Sequence, residues 1–433
     1  MSNKKETVVF ATITFLFLLF YFFRIYSGIY KLADSSEYLS TSELIKSGKY
    51  FLIISDPHNA EIATKRPFLY PFFLLINSFS NLKFVLFIQT LFGIFNFYII
   101  LRCLKKLNIT LPYYSVLIVL LTPSIFIYTQ LVMSEWLVLT FFMLLLFVFS
   151  HEFTFKRFFF IQILTVALTA TKPVFFPIIY FNLLYFSIFF YKKKVFSIYL
   201  FLPIIFLFSY LKFNNYRTGF THFSSIENIN LIDYNLYYFK SNLENKELAD
   251  KWKDSIYQEG SKLKTYVAKN EFYKYAALTE IKSNFFQYSW YHFYTSIRGM
   301  IDPGRFDLMT FFKQENGQEG LIEILNSNKP FATLLNNKNV WVYIFLVPIF
   351  VIQLIKFSCF AFFIYQKKNK LFSYKFYPIL VLLLYVFLTG PVNCSRLMMP
   401  MQGLLIIITI YQLNTFLQKL KASKLAIKKN HLS

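Results

Sequence analysis

The chain has 433 residues, 56% of them hydrophobic and 22% aromatic, and carries a formal net charge of +23. A composition this apolar excludes an ordinary soluble globular chain and calls for surrounding lipid. The three cysteines, Cys103, Cys359 and Cys394, fall at different depths of the span map below and suggest no disulfide framework.

The first apolar run, 8–26, follows Lys4 and Lys5 and lacks a small-residue cleavage signature, so it reads as a retained anchor. Hydrophobic length then predicts spans at about 84–101, 111–128, 131–149, 158–171, 173–191 and 195–213, and after a long polar stretch at about 340–365, 371–388 and 397–416. The expected fold is an α-helical polytopic membrane protein with about ten transmembrane helices, an amphipathic first outer loop and a mainly helical outer domain. Its divisions are a membrane region at 1–213 that includes the first outer loop (31–83), an outer domain at 214–339, a second membrane region at 340–418 and a basic cytoplasmic tail at 419–433.

Charge sets the expected orientation. Arg102, Lys105 and Lys106, then Lys156 and Arg157, Lys192 to Lys194, Lys367 to Lys370 and the tail lysines make every second connection basic, and these read as cytoplasmic. Carboxylates concentrate on the other side, between Asp34 and Glu61 and between Glu227 and Glu323. The basic excess is therefore a topology signal, and nucleic acid is not an expected partner. The segment 68–79 is apolar but about half the length needed to cross, which predicts an interfacial or re-entrant helix.

The outer stretch 214–339 mixes basic and acidic residues and is interrupted by Pro303, Gly304, Gly317 and Gly320, as expected of a small helical domain. No internal repeat is apparent, which disfavours a transporter built from two related halves.

Two ends of the first outer loop carry the sharpest signal: Ala33-Asp34-Ser35-Ser36-Glu37-Tyr38 and Thr64-Lys65-Arg66-Pro67-Phe68-Leu69-Tyr70-Pro71. Further along come Ala170-Thr171-Lys172-Pro173, Asn214 to Phe220 with Arg217 and continuing through Ser224, Ser225 and Asn228, and Ser395-Arg396-Leu397-Met398-Met399-Pro400. In this order they resemble the motifs of GT-C class membrane glycosyltransferases, the group containing bacterial protein O-mannosyltransferases and the lipid A aminoarabinose transferase. Lys172 departs from the Arg common in the family at that place.

The resemblance implies an inverting glycosyltransferase that moves a sugar from a polyprenyl-phosphate carrier to an acceptor hydroxyl on a lipid, glycan or protein. It would be a multi-pass protein of the bacterial cytoplasmic membrane, with its active site facing outward and membrane lipids around it. Such a transfer needs a carboxylate as general base and cations to stabilise the departing phosphate.

The resemblance makes Asp34 the leading base and Glu37, one helical turn away, the second candidate. Asp34 could equally cap a helix over 36–46. Arg66, Lys172, Arg217 and Arg396 are the candidate donor-phosphate contacts, with membrane anchoring as their alternative. Tyr38, Tyr70 and Glu135 are expected to line the substrate; a Tyr here also suits an aromatic belt, and Glu135 could instead buttress the fold.

No cofactor is required by any motif, and no metal ligands are assigned, although a divalent metal is left open: Asp56-Pro57-His58 is no metal signature, and His222 and His292 have no partner at ligand spacing. A carrier or flippase for a lipid-linked sugar, or a polysaccharide polymerase or ligase, is the alternative. A carrier would be expected to place functional polar groups within the bundle.

Overall fold

The computed structural model describes residues 4–312 and 340–430 of the chain, and among these there are helices and no strands. In the first half run α1 (Lys4–Ser27), α2 (Ala33–Lys46), α3 (Pro57–Lys65), α4 (Leu69–Phe73), α5 (Leu82–Lys106), α6 (Tyr114–Leu120), α7 (Ser124–Ile127), α8 (Glu135–Phe149), α9 (Phe155–Thr171), α10 (Phe176–Lys193) and α11 (Leu202–Thr218). Then come α12 (Ile226–Ile229), α13 (Tyr237–Leu243), α14 (Lys246–Ser261), α15 (Tyr266–Ser283), α16 (Phe285–Gly299) and α17 (Arg305–Phe311). After residue 339 follow α18 (Val340–Lys367), α19 (Tyr377–Thr389), α20 (Ser395–Met398) and α21 (Gln402–Asn430).

Among the described residues seven helical segments are long and apolar enough to cross a membrane, against about ten expected. They are Lys4–Ser27, Leu82–Lys106, Pro173–Lys193, Ile198–Thr218, Val340–Lys370, Tyr374–Val392 and Ser395–Ser423.

The other three expected spans have physical reasons for falling short. Over 111–128 the chain breaks at Thr122-Pro123 into α6 and α7, because proline has no N–H and its ring clashes with the preceding turn. The side chains repair the break: Thr122 Oγ1 donates to the Ile118 carbonyl at 2.8 Å, and Gln89 Nε2 donates to the Thr129 and Leu131 carbonyls at 3.1 and 2.8 Å. Helices α8 and α9 have 15 and 17 residues, about 22 and 26 Å of rise, against a hydrocarbon core of ~30 Å. The apolar helical segment Leu69–Ser78 is shorter still.

Helix α8 is the centre of the bundle. Its residues belong to both large apolar cores, one shared with α1, α5 and α21 and one with α9, α10 and α19. Small residues let the backbones approach, as is usual when lipid removes any hydrophobic drive between helices: at Gly403 a Cβ would collide with Met143 of α8. Polar side chains add specific links, including Asn96 Nδ2 to Thr140 Oγ1 at 3.0 Å and a relay in which Tyr377 donates to Asn182 at 2.8 Å and Asn182 to Gln162 at 2.6 Å. At the end of α8 opposite Glu135, Glu152 pairs with Lys375 at 2.7 Å, so the short helix still joins the carboxylate-rich face to the basic one.

The segment 219–312 forms helices around a small core of its own, with Ile232, Leu236, Phe239, Tyr273, Ala277 and Tyr288 buried together. The remainder of the expected outer domain, 313–339, lies outside the described residues. Bonds that fasten this segment to the first loop include Ser224 Oγ to the Lys65 carbonyl at 2.7 Å, Ser225 Oγ to the Glu61 carbonyl at 2.9 Å, and Ser225 N to the Thr64 carbonyl at 3.3 Å. The Thr64 and Lys65 carbonyls are among the last four of α3, which have no partner within their own helix. The serines therefore cap α3 and fix where the next residue, Arg66, begins.

Candidate functional site

Helix α2 starts three residues earlier than the sequence suggests. Leu32 is its N-cap, with the Leu32 N–H donating to Ser35 Oγ at 3.1 Å, so Asp34 lies inside the first turn and caps nothing. Its charge there suits the positive end of the helix dipole. Asp34, Glu37 and Tyr38 fall three and four residues apart and share one face.

Arg66 follows α3 in extended conformation and reaches that face. Its Nη2 lies 2.8 Å from Asp34 Oδ1, its Nε donates to Glu37 Oε2 at 2.7 Å, and its guanidinium stands 5.0 Å over the Tyr38 ring. Lys65 holds the other Glu37 oxygen at 2.7 Å.

Arg396, on α20, completes the arrangement from the far end of the chain. Its Nη2 binds the second oxygen of Asp34, and its Nε donates to Glu135 Oε1 at 2.7 Å. The same Glu135 oxygen accepts from Lys172 Nζ at 3.0 Å. Glu135 is fully buried at the start of α8, and its second oxygen has no hydrogen-bond partner among the described residues. A buried acceptor left in that state costs about 1–3 kcal/mol.

One connected network thus holds three carboxylates and four cations, leaving one positive charge in excess. Burial raises the Asp34 carboxyl, but the charges of Arg396 and Arg66 outweigh it and hold the group at about 2. Asp34 is ionised and clamped between two guanidiniums.

Tyr38 and Tyr70 are both fully buried and meet edge to face at 4.8 Å. The Tyr38 hydroxyl bonds Ser134 Oγ at 2.7 Å and the Tyr70 hydroxyl donates to Gln89 at 3.0 Å. Burial pushes the Tyr38 hydroxyl up to about 12, so it serves as a hydrogen-bonding strut under Arg66.

Arg217 is not part of the network. Buried in the last turn of α11, it donates to the Tyr50 carbonyl at 2.9 Å and to Asn214, and lies 4.2 and 4.3 Å from the Tyr50 and Phe213 rings. It fastens the first loop to the end of α11.

Two acids that the sequence reading passed over support Arg396. Asp302 Oδ2 accepts from the Ser395 N–H at 2.8 Å, while Asp307 accepts from Ser395 Oγ at 2.8 Å and from the Tyr128 hydroxyl at 2.6 Å. Burial pushes the Asp307 carboxyl up to about 7. Gly304 makes this corner: its φ of +84° favours glycine, and a Cβ there would sit 3.0 Å from both Asp307 Oδ2 and Ser395 Oγ. The Asp302-Pro303-Gly304 turn was the available signal.

Beside the network lies an apolar cavity of about 330 Å³ between the first loop and α11, lined by Ile45, Tyr50, Phe51, Phe68, Phe72, Phe206, Ser209, Tyr210 and Phe213. Phe68 is two residues from Arg66. Among the described residues no group of three His, Cys, Asp or Glu side chains is placed to hold a metal ion.

Fold and site together define a helical membrane protein with a partly buried ion-pair network assembled from its first loop and the starts of three bundle helices. Comparison with protein-family models, curated proteins and solved structures finds no match for the chain.

Proposed function

We propose that the protein is an inverting glycosyltransferase of the GT-C kind, taking its sugar from a polyprenyl-phosphate carrier at the outer face of a bacterial cytoplasmic membrane. The observation that carries this reading is the clamping of Asp34 between Arg66 and Arg396, in a network with one excess positive charge, beside an apolar cavity.

Each part has a role in the transfer. The excess charge takes the donor phosphate, and Arg66, Arg396 and Lys172 are the groups that hold it. The apolar cavity takes the first isoprenoid units of the carrier. A carboxylate held at about 2 is a weak base, so the resting pairing cannot be the reactive one. When the phosphate draws the two guanidiniums toward itself, Asp34 loses the charges that hold its pKa down and becomes a competent base.

The acceptor oxygen then forms its bond to the anomeric carbon from the face opposite the phosphate. The bond from that carbon to the phosphate oxygen breaks with its electron pair, and the acceptor proton passes to Asp34. Glu37 keeps Arg66 aligned through two bonds.

The test is the purified protein in proteoliposomes with polyprenyl-phosphate donors carrying a labelled sugar. Appearance of the label on an acceptor, with inverted anomeric configuration, is the expected result. Movement of intact donor across the bilayer with no product would replace this reading with a carrier.

A further inference from the structure

Lys65 belongs to two sites. Besides pairing with Glu37, it lines a second cavity of about 300 Å³, at the lower end of the ~300–1,000 Å³ typical of small-molecule sites. Asn228, Asp233, Tyr257, Asn270 and Tyr273 complete most of its wall.

The sequence places these groups by an unusual piece of backbone. Asn230–Leu236 is a π-helical turn, a rare geometry frequent at functional sites, and it carries Asp233. Asp233 Oδ1 accepts from the Tyr257 hydroxyl at 2.8 Å, and Asn228 Nδ2 donates to Asn270 Oδ1 at 3.0 Å. The Tyr257 and Tyr273 rings meet edge to face at 5.4 Å.

A carboxylate with lone pairs to spare, two amides that both donate and accept, and two phenol rings suit a ligand rich in hydroxyls with an apolar ring face. A hydrocarbon would leave these polar groups unpaired, and an inorganic anion would meet Asp233 together with two lysines, Lys65 and Lys269, that are already paired with Glu37 and Glu61.

We propose that this cavity binds a saccharide and is the acceptor subsite of the transfer reaction. The binding claim stands on the cavity alone, whereas the acceptor role rests on the transferase reading. The route between the two sites is short in bonds: Lys65 Nζ lies 2.7 Å from Glu37 Oε1, and the other Glu37 oxygen is held by Arg66, which also holds Asp34. A sugar seated against Lys65 presents a hydroxyl along this route toward Asp34, which takes its proton.

Saturation-transfer NMR reads binding without turnover, on the purified full chain in detergent, with methyl glycosides of hexoses, N-acetylhexosamines and pentoses as probes. At least one glycoside should bind, and about tenfold or more weakly to the Asp233→Asn and Asn228→Ala proteins. Asn228 is partly exposed, so its truncation leaves the helix core intact, and a thermal midpoint near that of the parent certifies the fold.

No glycoside binding, or binding indifferent to both substitutions, overturns the proposal. Binding that depends on Asp233 in a protein that transfers no sugar would remove the acceptor role and the transferase reading together while leaving the saccharide site standing. Transfer whose acceptor KM ignores both substitutions would overturn the subsite and leave the transferase intact.

Discussion

Arg396 and Arg217 stand at the ends of bundle helices and both have their charge taken largely out of solvent, yet their surroundings differ in kind. Arg396 meets two carboxylates, one of which it shares with Lys172 and the other with Arg66. Arg217 meets a carbonyl, an amide oxygen and two ring faces. The first arrangement is a set of exchangeable charges, in which an arriving anion can displace a carboxylate; the second is a fixed latch with nothing to exchange. Burial of an arginine therefore does not by itself separate the two kinds of surroundings; on the reading proposed above, the charge of its partners does.

The comparison is sharpened by removing one charge from each region. Lys172→Met leaves Glu135 buried with Arg396 as its remaining cation and should lower stability by about 3–5 kcal/mol, measured by thermal unfolding in detergent. Adding Glu135→Gln should recover most of the loss, because the pair then carries no buried charge; a double variant as unstable as the single one would break the account of this pair.

A smaller effect is expected from pH at the support beneath Arg396. The folded-state pKa of Asp307 is raised from 3.8 to about 7, so the folded protein binds its proton more tightly than the unfolded chain. The stability this brings is present at acid pH, declines as pH rises from about 4 and is gone above about 7. Asp307→Asn should flatten that part of the pH–stability curve, read by unfolding at a series of pH values.

The least effect belongs to the latch. Arg217→Met should cost about 1–3 kcal/mol through the lost carbonyl bond and ring contacts while leaving the donor KM of the folded fraction unchanged. A donor KM raised tenfold would show that Arg217 reaches the phosphate after all.

Much of the site could be read from the residues. Asp34, Glu37, Arg66, Glu135, Lys172 and Arg396 were all candidates, and the fold brings them into one network, because each lies beside a helix terminus or a prolyl break where the chain must turn. Arg217 stands apart from the network, which the sequence does not reveal because a basic residue at a helix end carries no mark of what it will meet. Asp302 and Asp307 were missed because acids in a mixed-charge stretch look like solvated surface. The bundle was legible in the seven long apolar helices among the described residues, and less so over 111–128, since hydropathy measures apolar length and is blind to a break such as Thr122-Pro123.

The central claim is that Asp34 takes the acceptor proton once the donor phosphate has drawn Arg66 and Arg396 away. Single-turnover transfer from a polyprenyl-phosphate-linked sugar, comparing the intact protein with Asp34→Asn at equal folded amount, tests it directly. The account predicts a rate lower by about 10²-fold or more with donor binding retained or tightened, because the amide removes the base and leaves both guanidiniums for the phosphate. Transfer at the intact protein's rate would contradict it and move the base to another residue.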